Sequence, residues 1–320
     1  MKGAPNKAPF FYLRLNPMVD ILHKASSLRR AIAEATVHVS SPETIERIRQ
    51  RSIPKGDVLE FARAAGLLAV KKTADVSPDC HPLPIEYTQI RYTLGEQEIR
   101  VEVEVATIYK TGVEVEAMHG ASVVALTLYD MLKPIDSGIQ IQHIQLLQKS
   151  GGKKSFKNTL NTPLKTGVIV CSDTISAGHK EDRAGKAIID LLKQYAVDTE
   201  LYTIIPDEEE AIQQQVQQAV NKQFDLLIFC GGTGLSPRDI TPEAVRPLID
   251  REIPGIMEAA RAYGQQRTPY AMLSRGLAGF CQNTLVLTLP GSTQGAIESM
   301  HALFPHILHI FKVAQGARHD

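Results

Sequence analysis

The sequence predicts two domains of different class, an α+β domain followed by an α/β domain with a Rossmann-like, doubly wound sheet. Three observations carry that expectation. The chain has 320 residues, more than one hydrophobic core usually serves, and about 150 residues per domain is the ordinary division. Its first half contains strands that alternate apolar with polar residues, as half-buried strands do. Its second half contains continuous apolar runs, each leading through a Gly- or Ser-bearing turn into a helical pattern, as buried parallel strands do. Between them, 149–166 reads KSGGKKSFKNTLNTPLKT, a polar, lysine-rich stretch broken by Gly and Pro and without periodicity. The boundary falls there: one domain over 1–150, a linker over 151–165 and a second domain over 166–320.

In the first domain, 31–40 (AIAEATVHVS) alternates small or apolar residues with polar ones. Residues 98–109 (EIRVEVEVATIY) do so strongly, with Ile99, Val101, Val103 and Val105 on one side. A strand over 85–94 precedes the latter across Gly95-Glu96-Gln97, a short connection that predicts an antiparallel hairpin. Helices are predicted near 42–51, with Ser41 as N-cap and Pro42 at the first helical position, near 58–72 and near 117–132. Strands grouped with helices on one face give the α+β class.

In the second domain, 166–171 (TGVIVC) and 225–230 (DLLIFC) are the continuous apolar runs, with 200–205 and 285–289 as further strands. Helices near 184–195, 208–222 and 293–314 complete a β-α-β-α-β-α order, which predicts the doubly wound sheet.

Composition narrows the function. The chain is 43% hydrophobic and 22% charged with a formal net charge of +0, so nothing draws it generally to nucleic acid or membrane, and any anion site must be local. No apolar run approaches the roughly 18 residues of a membrane helix, and MKGAPNKAPFFYLRLNP carries prolines and charges where a signal peptide is apolar; a cytoplasmic protein is expected. Four cysteines far apart, with no C-x-x-C pair, predict neither a disulfide framework nor a structural zinc.

Cations and carboxylates gather in short polar stretches of the first domain: Lys55-Gly56-Asp57, Lys71-Lys72-Thr73, Cys80-His81, Glu114 with Glu116, Asp130 with Lys133, and Lys149-Ser150-Gly151-Gly152-Lys153. Asp130 and Lys133 stand i,i+3 on one helix face, where such a pair can tune a lysine or pass a proton. Their neighbours Ala125, Leu126, Leu128 and Met131 predict that much of this helix is buried and the lysine partly sheltered. KGDV, CHPL, KTGVEVEAM, LYDMLK and KSGGK, in that order, resemble the cyclic pyranopterin monophosphate synthase family, also called MoaC, over roughly 18–153. The resemblance implies a ferredoxin-like α+β subunit of a hexamer that rearranges a 3′,8-cyclised GTP derivative into cyclic pyranopterin monophosphate and releases pyrophosphate. It also implies that Lys55 and Lys133 are acid/base lysines with Asp130 as their partner, that Arg29, Lys71 and His81 hold the triphosphate, and that Glu114 and Glu116 line the pterin end.

In the second domain, Gly231-Gly232-Thr233-Gly234 follows a strand, and absent Cβ atoms let its N–H groups approach an oxyanion. Ser236-Pro237-Arg238-Asp239-Ile240-Thr241-Pro242-Glu243 adds an arginine, two carboxylates and a hydroxyl near a helix start. Pro206-Asp207-Glu208-Glu209, Pro290-Gly291-Ser292 and Ser172-Asp173-Thr174 are further strand-to-helix turns. All four turns are predicted to converge at the carboxyl edge of the sheet, where open α/β sheets bind ligands. SDT, GGTG, PRDITPE, MLSR and LPGS resemble the MogA/MoaB family, which includes the N-terminal domain of gephyrin, from about 166 onward. The resemblance implies adenylylation of molybdopterin with Mg-ATP as co-substrate and no tightly bound organic cofactor. It makes Asp207 and Asp239 the catalytic, magnesium-associated carboxylates, while Ser172, Asp173, Gly232, Thr233, Gly234, Thr241, Glu243, Ser274, Arg275, Gly291 and Ser292 contact the pterin phosphate and nucleotide. The alternative is a domain that only binds molybdopterin or serves oligomerisation. Small-molecule pterins and nucleotides and copies of the chain itself are thus the expected partners, with nucleic acid and membrane excluded.

Overall fold

The computed structural model describes residues 18–152, 163–314 and 316. They form two compact units, one within Met1–Gly152 and one within Lys153–Asp320. Most of the linker expected over 151–165, and the first seventeen residues, lie outside the described residues.

The period-two strands of the first unit become β1 (Ser27–His38), β2 (Tyr87–Leu94) and β3 (Glu98–Tyr109), joined by a fourth strand, β4 (Gln140–Ser150). The helices are α1 (Pro42–Arg49), α2 (Val58–Lys71), the one-turn α3 (Thr73–Val76) and α4 (Glu114–Leu132). Sheet order is β2-β3-β1-β4 with every neighbouring pair antiparallel. Ala31, Ala33, Ala35 and Val37 of β1 and Ile99, Val101, Val103 and Val105 of β3 share one buried face, in one core with Ala62, Val124 and Leu128 of the helices. Ser41 caps α1 and Asp57 caps α2, each side chain accepting a backbone N–H of the first turn. β4 escaped the pattern because it is an exposed edge strand, and because its pairing with β1 shifts register at Ile32/Ala33 and Thr36/Val37, which breaks the alternation. Lys149 and Ser150, assigned from sequence to the boundary stretch, end this strand.

The second unit contains β5 (Thr166–Cys171), α5 (Asp173–Ser176), α6 (Ala184–Gln194), β6 (Thr199–Ile205), α7 (Glu209–Asn221), β7 (Leu226–Cys230) and α8 (Thr241–Val245). It continues with β8 (Arg251–Glu252), α9 (Pro254–Gln265), β9 (Ala278–Cys281), β10 (Thr284–Leu289), α10 (Thr293–Leu303) and α11 (His309–Ala314). The sheet runs β6-β5-β7-β10-β9-β8; the first four strands are parallel and the last two antiparallel. β5, β7 and β10 are buried at every residue, as their unbroken apolar runs predict. Side chains of α6, α9 and α10 cover one face and those of α7 and α8 the other, giving three layers and two cores. Fully buried Ile188, Leu192 and Ile212 each stabilise these layers by about 1.5–3 kcal/mol.

Two expectations are corrected here. The single helix over 293–314 is two, because α10 ends at Leu303 and Pro305 cannot supply the next N–H. The antiparallel pair β8–β9 and helix α9, absent from the sequence reading, extend the parallel sheet; strands of two and four residues are too short to show a period. Among the described residues, no helix is long and apolar enough to cross a membrane.

Candidate functional sites

Lys55 lies in the turn entering α2, while Asp130 and Lys133 lie at the end of α4. The Lys55 ammonium donates to Asp130 Oδ2 at 3.0 Å and to the Asp130 carbonyl at 2.8 Å. Lys133 reaches Oδ1 at 2.8 Å. One carboxylate thus bridges two ammonium groups. Hydrogen bonds from Lys133, then Lys55, hold Asp130 below the usual carboxylate range. The same bond from the other side holds Lys133 above the usual lysine range. The Lys133 side chain, expected from the helix pattern to be partly sheltered, is 51% exposed, and its carboxylate partner more than its burial governs it.

A second cluster forms at the opposite end of the unit. Arg29 of β1 donates to the Tyr109 and Lys110 carbonyls, and burial lowers its pKa. Lys149 of β4 pairs with Glu114 at 3.0 Å. Glu116, one turn into α4, is buried; that burial, with Glu114 beside it, raises its carboxyl above the usual range. Thr73 Oγ1 is 3.1 Å from His119 Nδ1, which ties the segment after Lys71 to the early turns of α4. The loop carrying His81 is tied to the end of β3 by the bonds of Thr107 to the Pro84 carbonyl and of Ile108 N–H to Glu86. The predicted residues therefore fall into two groups. Sixteen positions of α4 separate Glu114 from Asp130, about 24 Å along the axis. Lys149 is an addition to the predicted set, and the KSGGK motif was its signal.

In the second unit the strand-to-helix turns converge. Asp173 and Asp207 exchange backbone bonds: the N–H of Asp173 donates to Asp207 Oδ2 at 3.1 Å, and that of Asp207 to Asp173 Oδ1 at 3.0 Å. Ser172 N–H donates to the Ile205 carbonyl, Gly231 N–H to that of Leu289, and Thr241 N–H to that of Gly232. Arg238 grips Asp173 through both oxygens at 2.9 Å and holds it below the usual carboxylate range. Asp207 differs. It is buried, and that desolvation, reinforced by Asp173 and Asp239, raises its carboxyl above the usual range. Among the described residues its Oδ1 has no hydrogen-bond partner, nor has the buried Thr241 Oγ1. Gly232, at φ +62°, faces both atoms, and a Cβ there would meet Thr241 Oγ1 and lie 2.9 Å from Asp207 Oδ1.

An orphaned, buried carboxylate oxygen is what a hard cation needs. Magnesium keeps several waters and takes one or two carboxylates plus substrate phosphates, so the absence of any group of three His, Cys, Asp or Glu ligands among the described residues does not count against it. Asp207 fits such an ion through Oδ1. Asp239 fits less freely, because its Oδ2 already accepts the Ser236 N–H at 2.9 Å.

Beside this edge lies a cavity of about 820 Å³, with Thr233, Gly234, Asp239, Ser274, Gly291 and Ser292 in its wall, within the usual range for small-molecule pockets. Arg275 and Glu243, expected at the ligand surface, are bound to each other and to the turns that carry the site. The Arg275 guanidinium binds the Gly234 carbonyl at 2.7 Å, the Asp239 carbonyl and Glu243, locking the glycine turn to the PRDITPE loop.

The MoaC family model matches residues 18–152, and a family described as "Probable molybdopterin binding domain" matches residues 167–309. The molybdenum cofactor biosynthesis bifunctional protein of Chlorobaculum tepidum is 37% identical over 94% of this chain and 96% of its own length. The chain belongs to the family of molybdenum cofactor biosynthesis bifunctional proteins. The relative of the same name from Synechococcus elongatus is 38% identical, over 94% of this chain and 98% of its own. The first unit alone resembles the cyclic pyranopterin monophosphate synthase of Thermomicrobium roseum, 44% identical over 42% of this chain and 82% of the relative.

Within this bifunctional family frame, the part of the second site invisible in sequence is the far wall of the cavity. Met257, Arg261 and Gly264 of α9, Tyr270 and Leu273 of the following turn, and Glu298 of α10 line it. α9 lacked a strong signal because proline and glycine open it, Tyr270 and Glu298 belong to no motif, and Leu273 lies in MLSR but was not singled out.

Proposed function

We propose that the first unit is a cyclic pyranopterin monophosphate synthase acting on the 3′,8-cyclised GTP derivative, and that the second adenylylates molybdopterin with Mg-ATP. For the first unit the carrying observation is Asp130 bridging Lys55 and Lys133. A substrate that displaces the carboxylate from Lys133 makes that lysine a better proton donor, since its raised pKa depends on the bridge. Arg29, Lys71, His81 and Lys149 offer the several charges a triphosphate requires. Because the two groups stand at opposite ends of α4, a complete site joins one subunit's anion end to a neighbour's lysine pair. That requirement supports the expected hexamer, and the β-α-β-β-α-β order of the unit suits a ferredoxin-like fold.

For the second unit the carrying observation is the Asp207 Oδ1 left without a partner among the described residues and facing Gly232, whose next two residues, Thr233 and Gly234, line the cavity. Asp207, with Asp239, would hold magnesium, which neutralises charge developing on the departing pyrophosphate. Thr233, Gly234 and the start of α10 at Ser292 present N–H groups to a phosphate. Arg238 keeps Asp173 occupied, so that carboxylate orients Asp207 instead of competing for the cation. The test is the purified chain assayed for both products. Pyranopterin formation with molybdopterin binding but no AMP transfer would replace the second activity with the binding-module alternative.

A further inference from the structure

Glu298 sits in the second turn of α10 with 8% of its surface exposed, on the wall of the large cavity. Gln294, one turn earlier, donates to Oε1 at 2.8 Å. No described residue donates a hydrogen bond to Oε2, which lies 3.9 Å from the place a Cβ on Gly264 would take. The two cations in this wall are committed elsewhere: Arg261 donates to the Ser274 carbonyl at 3.4 Å, and Arg267 stacks on Tyr263 and donates to its carbonyl at 2.6 Å. A carboxylate this buried without a cation is costly unless donors meet it. The protein supplies one donor, so the cavity's occupant is left to supply the others.

The geometry points to Glu298 as the residue that selects the heterocycle in this cavity, reading the adjacent N–H and NH₂ donors of a 2-amino-4-oxopyrimidine edge. That edge belongs to pterins and to guanine. Adenine presents a ring acceptor next to its amino group and would set a lone pair against the carboxylate. Spacing agrees with this placement: six helical positions separate Ser292, where α10 begins and a phosphate is favoured, from Glu298, about 9 Å along the axis. A fused ring bearing a phosphate on a short arm is of that order of length. Met257 and Leu273 add apolar surface to the wall of the same cavity. Glu298 is thus a specificity residue remote from the reacting phosphate, and adenine must lie elsewhere.

The inference rests on the second unit handling a phosphorylated pterin. The test is equilibrium binding of three probes, 6-(hydroxymethyl)pterin monophosphate, GMP and AMP, to the full chain and to Glu298→Gln, which keeps volume but offers a donor where the ring edge needs an acceptor. Losing a charged acceptor should weaken the pterin phosphate and GMP by roughly 10- to 100-fold and leave AMP unmoved. Glu298→Asp, retaining the charge, should retain the preference for the first two over AMP, with melting temperature reporting the fold of both variants. Equal losses for all three probes, or unchanged pterin phosphate and GMP affinities in folded Glu298→Gln, would overturn the inference. Its failure differs from that of the proposed activity. A chain that binds pterin phosphate through Glu298 without transferring AMP defeats the activity alone, and one that transfers AMP with the pterin KM unmoved in Glu298→Gln defeats the selection alone.

Discussion

Asp130 and Asp207 are both carboxylates assigned to the protein's chemistry, and their surroundings push them in opposite directions. Asp130 is exposed between two ammonium groups and held below the usual range, mainly by its bond from Lys133. Asp207 is buried with one oxygen unpartnered and raised above that range, mainly by desolvation. The first carboxylate is satisfied and acts on its partners. The second is unsatisfied and awaits one. An aspartate in a motif therefore says little about its task until its donors are counted.

The largest effect that sharpens this contrast is on the first unit. Lys133→Ala removes a proposed proton-transfer group and should lower pyranopterin formation by roughly 10²–10⁴ in rate. AMP transfer by the second unit should be untouched, and so should stability, because exposed ion pairs contribute little. Product formation and thermal melting check both; a parallel loss of AMP transfer would break the separation of the sites.

Asp207→Asn should lower AMP transfer by about 10²–10³, the usual cost of losing one electrostatic stabiliser, and should act oppositely on stability. With its folded pKa raised, the Asp207 carboxyl favours folding at pH below its unfolded value, and that contribution is lost as pH rises through the folded value. Asn cannot ionise. Without magnesium, the variant should therefore gain on the parent in denaturant melts as pH climbs from about 4 towards 7. Asp130 runs the other way: its lowered pKa gives a contribution present above the unfolded value and lost as pH falls through the folded one. Parent and variant with parallel pH profiles would remove the basis for a cation at Asp207.

A smaller effect is expected at Gly232. Alanine there must hold φ +62° and crowd Thr241 Oγ1 and Asp207 Oδ1, a strain of about 1–3 kcal/mol. Calorimetry should show the second unit's transition lowered and the first's unchanged. The smallest is Ser292→Ala, which deletes the N-cap bond to Gly295 N–H at 3.2 Å and should cost about 1 kcal/mol. Phosphate-bearing probes should bind more weakly, since the exposed start of α10 then orders less well.

The sequence by itself determined the two classes of core. Period-two alternation over β3 and unbroken apolar runs over β5 and β7 leave each strand one way to bury its side chains. It also marked the turns holding Asp173, Asp207 and Gly232, because such turns need residues of special conformation or capping ability at fixed positions. Only the tertiary structure decided which charges meet. Lys55 and Asp130 lie 75 positions apart and Arg238 and Asp173 lie 65 apart, and no local periodicity encodes a pairing across such distances. The same holds for what stays unpaired. Burial raised Asp207 and left Glu298 Oε2 facing a cavity, and desolvation is a property of everything packed around a group, which a residue's chain neighbours do not report.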